Sequence, residues 1–268
     1  MGADSIQPLL QNYILLAAVV FIYVTLCFGL AVIKKRNDIA DIAWGLGFLL
    51  VAATSYWLGG VKLDLALLVT ILVAIWSLRL AGHIYLRHRG RGEDARYVIW
   101  RTEWGKWFYI RSYLQVFLLQ GFLLLLVVSP VVVINTYRYF DASSMAAASI
   151  AIGLVIWIVG FGFESIGDWQ LSKFIKLPSS KGQLMRSGLW RYTRHPNYFG
   201  EVSQWWGLWI VALAVPFGWL AVVGPLTISI LILKVSGVPM LEKLMSKNPD
   251  FADYKKHTSM FVPMPFKK

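Results

Sequence analysis

Cysteine is almost absent from this chain: one residue, Cys27, in 268. A single thiol excludes an intrachain disulfide framework and any zinc site built on cysteines, and it leaves the redox compartment unread. Acidic residues are also scarce, 14 Asp and Glu against 26 Lys and Arg, for a formal net charge of +12. The glycine signatures of nucleotide-binding domains are missing. No GxGxxG follows a strand pattern, no GxxxxGKS loop occurs, and Gly160-Phe-Gly162 is a fragment inside an apolar run. The two longest loops, about 83–112 and 164–197, are too short for a separate soluble domain, so any nucleotide must be held by the apolar segments and these loops. No metal site is expected.

Apolar residues are plentiful. The hydrophobic fraction is 57% and the mean hydropathy +0.60, which predicts an all-α polytopic membrane protein. Hydropathy gives about seven transmembrane helices, near 12–33, 40–59, 63–82, 113–135, 144–163, 198–214 and 218–236. The first lacks a small-residue cleavage site after a basic region and reads as a retained span. Basic residues cluster after spans one, three and five and in the tail from Lys234, whereas the opposite side carries Lys62 and Arg138 alone. That alternation predicts an outside N-terminus and a cytoplasmic C-terminus. The positive charge is then a topology signal and an attraction to anionic membrane lipid, and no nucleic-acid partner is expected.

One stretch concentrates polar chemistry at the start of a span: Ser187–Glu201, SGLWRYTRHPNYFGE. Pro196 suits the first position of a helix, which puts His195 at the cap and Asn197, Tyr198 and Glu201 on one face of the first turns. A helix N-terminus beside Arg194 and His195 suits a phosphate or carboxylate. A charged juxtamembrane cap that anchors the helix is the other reading.

Further polar groups enter or border the spans. Asp38 and Asp41 share a face that continues to Trp44; Asp41 reads either as a group facing a polar cavity or as the partner of a neighbouring arginine. Arg79 lies near the end of span three, close enough to snorkel. Arg87, Arg91 and Arg96 alternate with Glu93 and Asp94 in a loop that reads as solvated surface or as a polyphosphate clamp. Trp100, Trp104, Trp107 and Phe108, with Arg101, Lys106 and Arg111 around them, read as an interfacial helix. Glu164 and Asp168 are four apart on one face that should meet the start of span six if the two helices are neighbours. Lys234, Glu242 and Tyr254 are the remaining candidates for a pocket or a loop lock.

The GLWRYTRHPNYFGE stretch, the two-span hairpin after it and the YKKxTxxFVPxPF tail from Tyr254 to Phe266 resemble the steroid 5α-reductase-like membrane enzymes, especially their uncharacterised bacterial branch. Isoprenylcysteine carboxyl methyltransferases share an RHPxYxG motif and a similar tail. The likeness covers residues 150–268 well and the N-terminal half more loosely. It implies one membrane-embedded domain over 1–268, with substrate-side helices in 1–135 and a cofactor-binding half in 136–268.

By that resemblance the chain is an NADPH-dependent oxidoreductase reducing a C=C bond in a steroid-like or other enone lipid that enters from the bilayer. Asp41 is the nearest counterpart of an essential second-span acid, and Arg79 of a third-span arginine; Trp76 stands where the reductases have a tyrosine. Asp168 matches an aspartate at the nicotinamide-ribose, Glu164 replaces an asparagine there, and Lys234 replaces a phosphate-binding arginine whose following histidines are SGVP here. Arg194, His195 and the helix start would hold phosphates; Asn197, Tyr198 and Glu201 would grip adenine and ribose; Tyr254 would close the pocket. The alternative is an S-adenosylmethionine-dependent lipid or isoprenylcysteine methyltransferase, for which only Glu242 remains of a glutamate pair. A third is a non-catalytic scaffold of the same fold. The branch resembled implies a bacterial inner membrane, and the endoplasmic reticulum if the source is eukaryotic.

Overall fold

The computed structural model describes residues 5–60, 64–137 and 143–265. Lys62, Arg138 and Phe266 lie outside them. The described residues form helices and no strand: α1 Gln7–Lys34, α2 Ile39–Leu58, α3 Leu65–His88, α4 Ala95–Trp104, α5 Phe108–Arg111, α6 Leu119–Val127, α7 Ser129–Tyr137, α8 Ser144–Ile175, α9 Pro196–Ala212, α10 Val223–Ile230, α11 Val238–Met245 and α12 Phe251–His257. A single isolated β-bridge joins Thr193 and Ser259. Among the described residues six helical stretches are long and apolar enough to cross a membrane: Gln7–Lys34, Ile39–Leu58, Leu65–His88, Ala95–Val127, Ser144–Ile175 and Gly218–Met245. This is an all-α polytopic integral membrane protein. The expected sixth span is α9, whose 17 residues reach about 25 Å at 1.5 Å per residue, short of a hydrocarbon core of about 30 Å.

Backbone geometry explains where several helices end. Lys35 takes a left-handed conformation (φ 53°) after α1, and its N–H closes the last turn on Ala31 and Val32 carbonyls. Gly105 (φ 48°) separates α4 from the helical run that follows, so the expected aromatic helix is a distinct piece ending at Trp104. That run passes through a π-helical stretch, Ser112–Leu118, and a second π stretch, Leu231–Val235, follows α10.

The chain divides into two compact units: residues 1–146 with 212–223, and residues 147–211 with 224–268. In unit 1, α2 is the central element, with Phe48, Val51 and Ala52 wholly buried. Trp76 of α3 meets Phe48 edge-on at 5.2 Å and is core. Asn135 of α7 donates to Ser55 Oγ (2.8 Å) and to the Ala52 carbonyl (3.2 Å), which satisfies a polar group that burial would otherwise penalise. By contrast α1 leaves Ile14, Leu26 and Ile33 more than two-thirds exposed, an apolar face suited to lipid.

Unit 2 is built on a glycine seam. Gly153, Gly160 and Gly167 recur every seven residues on α8, as do Gly200 and Gly207 on α9. A Cβ on Gly153 would stand 2.5 Å from the Gly207 carbonyl oxygen, and one on Gly160 would stand 2.7 Å from that of Gly200. The helices therefore run antiparallel at backbone contact, a packing open only to small residues. The seven-residue recurrence keeps the seam facing its partner.

Candidate functional site

The glycine seam decides where the unit 2 polar groups go. With α8 and α9 this close, Asn197 donates to Asp168 Oδ1 (3.1 Å) and Gln204 to Glu164 Oε2 (2.5 Å). Glu164, Asp168 and Gln204 are all buried. The expected convergence of the two α8 carboxylates on the start of span six is thus present as a ladder of two hydrogen-bonded pairs. Asn197 Oδ1 is buried and accepts no hydrogen bond from the described residues.

Just before α9 the chain is sewn to the tail. The Arg194 N–H donates to the Ser259 carbonyl (2.9 Å), Thr193 Oγ1 to that of Phe261 (2.8 Å), and the Tyr254 hydroxyl to that of Trp190 (2.5 Å). Arg194 is only 3% exposed. Its guanidinium forks onto Glu242 of α11, Nε to Oε1 at 2.7 Å and Nη2 to Oε2 at 3.2 Å, while Nη1 donates to the Thr258 carbonyl at 2.5 Å. Arg194, expected to hold cofactor phosphates, has its guanidinium engaged by Glu242 and by the carbonyls of the tail in a clamp. Tyr254 likewise locks the loop, and burial pushes its hydroxyl pKa up, keeping it a donor.

His195 is wholly buried, with Nε2 3.2 Å from Glu242 Oε1 and its ring stacked on Tyr198 at 5.7 Å. Burial lowers its pKa, with Arg194 adding to the effect, and together these outweigh the pull of Glu242; the imidazole is held neutral. It therefore brings no positive charge to the helix start at neutral pH. Glu201 lies on α9, and Lys234 sits exposed in the second π stretch.

Unit 1 holds a different cluster. Asp41 accepts from Arg96 Nη2 (2.7 Å) and from the Tyr97 hydroxyl (2.8 Å). Asp38 takes the Arg36 fork at 3.0 and 2.7 Å, and Glu93 takes Arg101 at 2.9 Å and the Asn37 N–H at 2.7 Å. Asp94 caps α4 by accepting the Arg96 N–H (3.0 Å). Burial alone would raise the Asp94 pKa, but the hydrogen bonds from Arg96 prevail and lower it. The mixed-charge loop is therefore a self-paired network, with Arg96 and Arg101 both committed to acids of this unit.

Of the two residues expected to be catalytic, Asp41 lies at the centre of this network as an acceptor of two bonds, the partner of an arginine. Arg79 is half-buried on α3, and the arginine that pairs with Asp41 is Arg96. Tyr97, 2% exposed, is the group that sequence reasoning missed. It lies 56 positions from Asp41, and only the short GRGEDARY turn between α3 and α4 hints that the two meet. Gln204 was missed as well, although Asn197, Glu201 and Gln204 recur at helical spacing.

The aromatic stripe is stacked and flanked by cations. Trp100 and Trp104 lie parallel at 5.0 Å, Arg111 sits over Trp104 at 5.6 Å, and Arg101 sits over Phe108 at 4.1 Å.

A search of curated proteins and a search of solved structures found no match. The family described as "Protein of unknown function (DUF1295)" matches residues 27–258, a span that takes in the unit 1 network, the glycine seam and the Arg194 clamp, and the chain belongs to that family.

Proposed function

We propose that the protein is a membrane-embedded reductase that takes NADPH in unit 2 and reduces an activated C=C bond of a lipophilic carbonyl compound drawn from the bilayer. One observation carries the reading: the Asp168–Asn197 pair at the N-terminus of α9, with the buried, unpartnered Asn197 Oδ1 beside it. Polar groups in an apolar helix pair are expensive unless they serve a ligand or each other, and this pair, bonded to each other, would serve a ligand through the acceptor left over. Asp168 accepts from hydroxyls, Asn197 both donates and accepts, and the first N–H groups of α9 attract a negative group. These residues fit the ribose and carboxamide of a nicotinamide nucleotide.

When bound, NADPH would supply the hydride taken by the carbon β to the substrate carbonyl, and a proton from water would complete the reduction at the α carbon. The chain's own residues bind and orient. Within unit 1 the part-exposed Arg96 guanidinium, held by Asp41 and Asp94, would bind a polar oxygen of the lipid, and Tyr97 would keep Asp41 in place. A bacterial inner membrane is the setting proposed.

Thermal unfolding of the detergent-purified protein with NADPH, NADH and S-adenosylmethionine in parallel tests the reading. A ligand at about a hundredfold over its Kd adds roughly 2.7 kcal/mol to the native state. Stabilisation by NADPH that disappears in Asp168→Ala and Asn197→Ala is the expected result. Stabilisation by S-adenosylmethionine alone would replace the reductase with a methyltransferase, and silence from all three would favour a scaffold.

A further inference from the structure

We infer that unit 2 also carries a pocket for a phosphate monoester, formed by the loop before α9 and by α12. An open pocket of about 430 Å³ is lined by Arg186, Arg191, Asp253, Tyr254, His257 and Thr258 among others. Two guanidiniums face one carboxylate there, so the wall is net positive before His257 is counted.

That carboxylate organises the cations. Arg186 Nη1 donates to Asp253 Oδ2 at 3.0 Å, Nη2 donates to the Asp250 carbonyl, and the guanidinium lies over the Tyr254 ring at 5.4 Å. His257 Nδ1 stands 3.2 Å from the other oxygen, Asp253 Oδ1. Arg186 is thus fixed at the wall with N–H groups to spare, since a guanidinium carries five. Arg191 is exposed at the rim. A fixed guanidinium fork at the wall with a second guanidinium at the rim suits a doubly charged tetrahedral group with three acceptor oxygens better than a single carboxylate.

The volume sharpens the ligand. It falls within the usual range for small-molecule sites and exceeds what bare phosphate fills, so the phosphate should arrive on a larger body. Two sources share that chemistry: a ribose phosphate on a nucleotide and the headgroup of phosphatidic acid. The pocket does not depend on the reductase reading.

The test uses the full chain in phosphatidylcholine nanodiscs, titrated with adenosine 2′,5′-bisphosphate and with adenosine, and a second set of discs that mixes phosphatidic acid with phosphatidylcholine. Bisphosphate binding that adenosine does not reproduce identifies the nucleotide source; selective retention of phosphatidic acid identifies the lipid source. In either case Arg191→Ala should weaken binding about tenfold, the effect of one charge-assisted contact, and raised salt should weaken it further. Arg186→Ala should do the same, but it also releases Asp250 and Asp253. Asp253→Asn, which removes the single acid, should act in the opposite direction and tighten binding. Adenosine binding as well as the bisphosphate, with no preference for phosphatidic acid, overturns the proposal. So does an affinity that neither Arg191→Ala nor Asp253→Asn changes.

Discussion

Two arginines, one in each unit, make the same kind of bond and are built for different work. The side chain of Arg194 is 4% exposed and bound to Glu242, whereas that of Arg96 is 40% exposed and bound to Asp41, each with a shortest N–O distance of 2.7 Å. A buried ion pair has no water to fall back on, so its partners cannot be exchanged; a half-exposed pair can trade one partner for a ligand. Exposure, more than charge or position in a motif, therefore separates the clamp from a guanidinium free to exchange its partner for a ligand.

The comparison breaks first at Arg194. Arg194→Ala leaves Glu242 without its fork and the Thr258 carbonyl without its donor, at a cost of about 3–5 kcal/mol. Chemical unfolding in detergent should read it, and Arg194→Lys should recover little because an ammonium cannot form the fork. A loss below about 1 kcal/mol would return Arg194 to the pool of ligand-binding residues.

The glycine seam gives the next largest effect. Gly160→Ala drives a methyl against the Gly200 carbonyl, where backbone on both sides resists, and should cost about 1–3 kcal/mol. Gly162, two residues along the same helix, has nothing within 4 Å of its Cβ position, so Gly162→Ala should be neutral or mildly stabilising. Gly160→Ala should also weaken any ligand held by the Asp168–Asn197 pair, which the seam positions.

At the exposed arginine the balance reverses. Asp41→Asn and Tyr97→Phe should each cost about 1 kcal/mol of stability or little more, the worth of a part-exposed pair or one hydrogen bond. Binding of an enone lipid should nevertheless weaken about tenfold, while the stabilisation by NADPH is retained. Unchanged lipid binding in both variants would remove the unit 1 cluster from substrate recognition.

Much of this was legible in the sequence, because hydropathy and helical spacing are local signals. The long helices, the shared face of Glu164 and Asp168 and the cap at His195 all follow from residues a few positions apart. The partners of the arginines do not. Arg96 finds Asp41 across 55 positions and Arg194 finds Glu242 across 48, distances over which charge pattern alone names no partner. The seam lies between these cases: its seven-residue glycine recurrence stands in the sequence, but it becomes a signal only when α8 and α9 are known to be neighbours.

The smallest expected effect sharpens the contrast from the other side of the clamp. His195 is neutral in the folded protein because burial, with Arg194 beside it, outweighs Glu242. Its folded pKa thus lies below the ordinary value of about 6.5, so the unfolded chain binds the proton more readily. Stability should decline as pH falls from about 7 through that ordinary value and level off once the folded imidazole is itself protonated. His195→Gln, which keeps a polar partner for Glu242 and cannot titrate, should flatten that part of the profile. The quantity to compare is the difference between the two unfolding curves, since the carboxylates of unit 1, Asp94 among them with its lowered pKa, add their own loss only at more acid pH. A wild-type profile as flat as the variant's would mean that Glu242 compensates the imidazole fully, and that the clamp admits charge as readily as the exposed network does.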